Sequence, residues 1–130
     1  MQLIRLLHAT PAVGMRVQFG SDDEVASGRA FVEYCNGAST SPMGRLRASR
    51  GHVMPFDVKI WYLGNEIGVQ GRYPPSPNGG EWAQAVGAAT PQEYRGIMSR
   101  LVPALLAVDS SLQLVAANAA PNVSIPFAPQ

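Results

Sequence analysis

Over residues 11–19 the larger apolar side chains, Val13, Met15, Val17 and Phe19, fall at every second position, which is the period of a β-strand. Gly20 ends that run. Ser21 followed by Glu24 has the form of a capping box, whose hydroxyl and carboxylate satisfy N–H groups that a helix start leaves unpaired, so a helix is predicted from Asp22. Val25, Phe31, Val32 and Cys35 repeat at helical spacing on its inner side, and Asn36-Gly37 offers a left-handed stop. Residues 38–56 hold Ser, Thr, Pro, Gly and the basic or imidazole side chains Arg45, Arg47, Arg50 and His52 without periodicity, and read as a long loop. Residues 58–63 are β-branched, aromatic and aliphatic without clear alternation, the pattern of a strand buried on both faces. Residues 64–89, rich in Gly and with Pro74, Pro75 and Pro77, read as a second long surface connection. Thr90-Pro91-Gln92-Glu93 repeats the capping logic with proline at the first helical position. Tyr94, Ile97, Met98, Leu101 and Leu105 then share one face of a helix that Pro103 is expected to kink. Residues 112–117 read as a third buried strand. Beyond Asn118 the prolines at 121, 126 and 129 predict an irregular tail over residues 121–130.

The order is strand, helix, strand, helix, strand, which makes an α/β fold with three parallel strands and helices outside them. A length of 130 residues suits one domain and falls well short of the roughly 250 that a whole eight-stranded β/α barrel needs. Ten Lys plus Arg against nine Asp plus Glu leave a net charge of +1, which gives no electrostatic reason to expect nucleic acid or anionic lipid as a partner. The apolar stretch from Leu101 to Val108 is far below the roughly 20 residues of a membrane span. The N-terminal MQLIRLLHATP lacks the apolar core and cleavage site of a secretion signal, although such a signal can lie upstream. Cys35 is the only cysteine, so no intrachain disulfide forms, in keeping with a reducing compartment and a cytoplasmic location.

In parallel β/α folds reactive groups gather at the carboxyl ends of strands, and Asn65-Glu66 stands immediately beyond the second strand. Held near Trp61 and Tyr62, the Glu66 carboxyl would lose hydration, gain a raised pKa and serve as a general acid near neutral pH. Position alone leaves open a second reading, a solvated carboxylate in a turn. The other conspicuous residues have plainer explanations. His8 and His52 lack the spacing and cysteine partners of a zinc site, and no metal is expected. His52 is read as fixing a turn and Cys35 as a packing residue. Arg45, Arg47 and Arg50 are read as solvent or ion-pair partners rather than phosphate ligands. Phe19-Gly20-Ser21 lacks a fuller phosphate-loop signature.

VEYCNG, GRLRASRGH, PFDVKIW and YLGNE follow one another with short gaps, and together they resemble glycoside hydrolase family 51, the α-L-arabinofuranosidases. The resemblance is dense over residues 31–66 and extends over about 9–118. It implies that residues 1–120 are a partial (β/α)8 TIM barrel, a catalytic segment covering about the third to fifth strands. It also implies that Glu66 is the acid/base and that Asn65 binds the sugar 2-hydroxyl. The implied activity is retaining removal of terminal arabinofuranosyl groups from hemicellulose or pectin side chains, an arabinose-containing glycan being the partner, with no cofactor. Retention requires a second carboxylate about 5 to 5.5 Å from the first. The family supplies it from a strand beyond this segment, and Glu33, Glu81, Glu93, Asp57 and Asp109 are not placed to replace it. The isolated chain is therefore expected to be inactive, or to be a non-catalytic remnant that binds sugar weakly. The Trp that family members carry after the acid/base is replaced here by Ile67-Gly68-Val69-Gln70, and Gln18 stands near a position where the family has Asn. Open barrel edges are expected to favour homo-oligomers.

Overall fold

In the computed structural model, which describes residues 9–15, 21–64 and 91–116, three short strands lie parallel. They are β1 (Ala12–Met15), β2 (Ile60–Leu63) and β3 (Gln113–Ala116). β2 is central, with Ala12, Ile60 and Gln113 aligned at one end and Met15, Leu63 and Ala116 at the other. Helices α1 (Asp22–Asn36), α2 (Pro42–Ser49) and α3 (Pro91–Leu106) complete the described elements. The expected α/β order is present, with α2 added between α1 and β2.

α1 begins where its cap dictates: the Ser21 hydroxyl accepts the Glu24 N–H at 3.2 Å, and Asp22, Asp23 and Glu24 complement the positive end of the helix dipole. Its buried residues are Gly28, Val32 and Cys35. Phe31, placed on the inner side from sequence, is 42% exposed and meets Trp61 edge-on at 5.2 Å. The helix also ends differently from expectation. Gly37 is extended (φ −63°, ψ 150°), not left-handed, and glycine is needed there for space, since a Cβ would stand 2.5 Å from the Glu33 carbonyl oxygen.

The long loop expected over residues 38–56 contains α2. Ser41 caps it by accepting the Gly44 N–H at 3.2 Å, Pro42 opens it, and the Glu33 carboxylate accepts the Met43 N–H at 3.2 Å. Eight residues with only Gly44 and Arg47 buried give too little apolar repetition to reveal a helix.

α3 carries the face read from sequence. Tyr94, Ile97, Met98, Leu101 and Leu105 are all buried, and they form the core together with Met15, Val32, Cys35, Val58, Trp61, Leu63 and Leu112. The helix continues through Pro103 to Leu106, and the Ala107 N–H donates to the Pro103 carbonyl at 3.0 Å. In β2, Trp61 and Leu63 are buried in that core, whereas Tyr62 is 47% exposed. β2 is thus covered on one face by the described residues, not on two. Gly14, Tyr62 and Val115 form one row across the other face. β2 starts at Ile60 rather than 58, because Val58 is engaged by the Asn36 side chain instead of a strand neighbour.

Candidate active site

Parallel strands bring Met15, Leu63 and Ala116 side by side at their carboxyl ends. There the chain leaving β2 is held tightly. The Gly64 N–H donates to the Met15 carbonyl at 2.8 Å, and the hydroxyl of Tyr94, 1% exposed, donates to the Leu63 carbonyl at 2.8 Å. Gly64 has φ +95°, a conformation open to glycine and strained for other residues. Asn65 and Glu66 follow next in sequence. Both lie outside the described residues, as do His8, Gln18, Glu81, the connection over 65–90 and the tail over 121–130.

The opposite end of the sheet is occupied by a polar cluster. The Asn36 amide pairs with both polar backbone atoms of Val58, donating to its carbonyl and accepting its N–H, each at 2.8 Å. It also donates to Asp109 at 2.9 Å. Lys59 reaches Asp109 at 3.0 Å, Asp57 at 2.9 Å and the Ser111 hydroxyl at 2.7 Å. Burial pushes the Asp109 carboxyl up, but bonds from Ser111, Lys59 and Asn36 together outweigh it and hold the group well below the usual carboxylate range. Bonds to Asp57 and then Asp109 raise the Lys59 pKa, against a smaller opposing effect of burial. Such a cluster at the amino ends of parallel strands serves stability rather than chemistry.

Arg47, read from sequence as a solvent or ion-pair partner, is instead fully buried. Its guanidinium donates to the carbonyls of Tyr34 (2.9 Å), Gly37 (2.8 Å), His52 (3.0 Å) and Val53 (3.1 Å). That fork ties the end of α1 to the chain beyond α2, and every acceptor is a neutral main-chain group. His52 sits in that turn, its N–H donating to the Arg47 carbonyl at 3.2 Å and its ring edge-on to Phe56 at 5.2 Å. Cys35 is a packing residue, 5% exposed, with burial pushing its thiol up to about 11 against the opposing charge of Arg47. Glu33 caps α2, Asp57 and Asp109 belong to the lysine cluster, and Asp22 pairs with Arg100. Among the described residues no group of three or more His, Cys, Asp or Glu is arranged to hold a metal ion. No helix among them is long and apolar enough to cross a membrane.

Sequence reasoning missed Arg47, Asn36 and Tyr94 as organising residues. Asn36 was legible only as a helix stop and Tyr94 only as an apolar position, because a partner 22 or 31 residues away leaves no local trace.

Comparison with known proteins places these features in a family. The family model described as "Alpha-L-arabinofuranosidase 1 domain" matches residues 2–120. The chain belongs to this α-L-arabinofuranosidase family. It is 34% identical over 116 residues to an intracellular exo-α-(1→5)-L-arabinofuranosidase of Halalkalibacterium halodurans, covering 89% of this chain and 20% of that protein. A Bacillus subtilis enzyme of the same description is 33% identical over 104 residues, covering 80% and 18%. The solved structure of an α-L-arabinofuranosidase from Thermotoga maritima in complex with arabinose superposes with a TM-score of 0.68 at 27% identity, over 90% of this chain and 21% of that one. The chain thus spans about a fifth of the length of these arabinofuranosidases. Its three-stranded parallel sheet corresponds to one part of their β/α barrel.

Proposed function

We propose that this chain is the segment of an arabinofuranosidase barrel that carries the general acid/base, Glu66, with Asn65 as its neighbour at the substrate. The observation that supports this most is the exit of the central strand: Gly64, at φ +95°, stands at the carboxyl end of β2, the strand between β1 and β3, two residues before Glu66. In the first half-reaction Glu66 protonates the leaving glycosidic oxygen as a carboxylate about 5 to 5.5 Å away attacks the anomeric carbon, breaking the glycosidic bond and inverting that centre, and the second half-reaction inverts it again to give overall retention. In the second, Glu66 removes a proton from the incoming water. Asn65 donates to the sugar 2-hydroxyl, a bond that strengthens as oxocarbenium character develops. The substrate is a terminal α-L-arabinofuranosyl group on a hemicellulose or pectin side chain, and the working compartment is the cytoplasm.

The attacking carboxylate comes from outside this segment. None of the described carboxylates Glu33, Asp57 and Asp109 stands at the carboxyl end of a strand. Glu66→Gln in a polypeptide that completes the barrel is expected to lower hydrolysis of an aryl α-L-arabinofuranoside by about 10²- to 10⁴-fold. Unchanged turnover would remove Glu66 from the acid/base role.

The placement of those described carboxylates also favours a second reading for the 130-residue chain by itself, a non-catalytic remnant that binds sugar weakly or packs against another chain. Steady hydrolysis by the purified chain, abolished by Glu66→Gln, excludes that reading.

A further inference from the structure

We propose that Tyr94 is a positioning residue for the acid/base, fixing through its hydroxyl the direction in which the chain leaves β2. The inference rests on Glu66 being the acid/base. The Leu63 carbonyl and the Gly64 N–H belong to one planar peptide unit. Both of its polar atoms are bonded, the carbonyl by Tyr94 Oη at 2.8 Å from α3 and the N–H to the Met15 carbonyl at 2.8 Å in β1. The plane is therefore held from two different elements, and φ of Gly64, at +95°, is the first torsion beyond it.

Packing alone does not account for the hydroxyl. Tyr94 is 1% exposed among Leu63, Ile97, Met98 and Leu101, where the ring of phenylalanine fills the same space. A buried phenol needs an acceptor, and this one takes the last carbonyl of the central strand, 31 residues back along the chain. Glu66 follows two residues after Gly64 in the sequence. A misplacement of about 1 Å at a catalytic group lowers catalysis by about 10²-fold.

The test uses the 130-residue chain labelled with ¹³C and ¹⁵N. Tyr94→Phe keeps the ring and removes the donor, and it is expected to shift the Leu63 ¹³C′ resonance and the amide resonances of Asn65 and Glu66. Met98→Ala removes a buried side chain from the same helix and neither hydrogen bond of that peptide, so it should lower the melting temperature and leave those resonances in place. The proposal is overturned if Tyr94→Phe leaves them unmoved, or if Met98→Ala moves them equally. In a polypeptide that hydrolyses the aryl arabinofuranoside, Tyr94→Phe is expected to lower kcat about 10- to 100-fold at unchanged KM. Unchanged kcat, or a change confined to KM, counts against positioning. Failure of the acid/base reading has a different signature: Glu66→Gln retains full turnover, whatever the resonances of the Tyr94 variant show.

Discussion

Arg47 shows how much a single side chain organises here. A guanidinium buried without a carboxylate is tolerable because its donors are spread over four main-chain carbonyl oxygens. Arg47→Met fills a similar volume and supplies no donor. Losing four hydrogen bonds from a charged donor is expected to destabilise the chain by about 3 kcal/mol or more, read as a lower urea midpoint. Arg47→Lys should recover little of this, because one ammonium on a flexible stem does not reproduce the fork. The sequence GRLRASRG shows three arginines at close spacing and nothing that separates the buried one from Arg45 and Arg50, both exposed. Gly37 teaches the same lesson in reverse. Its identity was legible, but its reason was steric room beside Glu33 and not backbone handedness.

Among the elements, those with a long apolar repeat were legible and the short one was not. α1 declared itself through its capping residues, and α1 and α3 through their apolar faces, while α2 hid behind its brevity. The strands were found, but β2 and β3 start later than expected, because Val58 and Leu112 are buried beside the sheet without pairing as strand residues. The cluster joining α1, β2 and the turn before β3 gives this level its own test. The Asp109 pKa is lowered in the folded state, so its contribution is fully present above the ordinary carboxylate value near 4 and is lost as pH falls below it toward the folded pKa. The melting temperature of the wild-type chain should therefore fall through that acid range. Asp109→Asn should melt lower at neutral pH and show a flatter acid dependence; an unaltered acid slope would assign it to other carboxylates. Lys59 has the opposite sign. Its raised pKa adds stability below about 10.4 that is lost as pH rises through the folded value.

For the whole molecule, the apolar run of β2 was legible as that of a doubly covered strand, yet the described residues cover only one side. The discrepancy has a physical source: the run suits a closed barrel, and the chain spans about a fifth of its relatives. Tyr62 at 47% and Val115 at 37% exposure lie in one row on the uncovered face. The isolated 130-residue chain is expected to self-associate, its apparent mass rising with concentration in light scattering. Tyr62→Lys should reduce that rise, and a concentration-independent monomer would show that this face does not drive association. Glu66 is proposed from sequence through its motif and strand position, whereas the bonds that Tyr94 and Met15 make to the Leu63–Gly64 peptide depend on three-dimensional neighbours.

The Asn36 amide has one further consequence, for the moment of synthesis. Its hydrogen-bond partners lie 22 and 73 residues away, so α1 is translated long before Asp109 exists to accept its bond. At about 5 to 20 residues per second, the 73-residue delay lasts about 4 to 15 seconds. During that interval the nascent chain can form α1 and grip Val58, but it cannot close the junction that brings β2 and the approach to β3 together. That delay leaves a sheet edge unpaired, the stage at which a chaperone has most to shield.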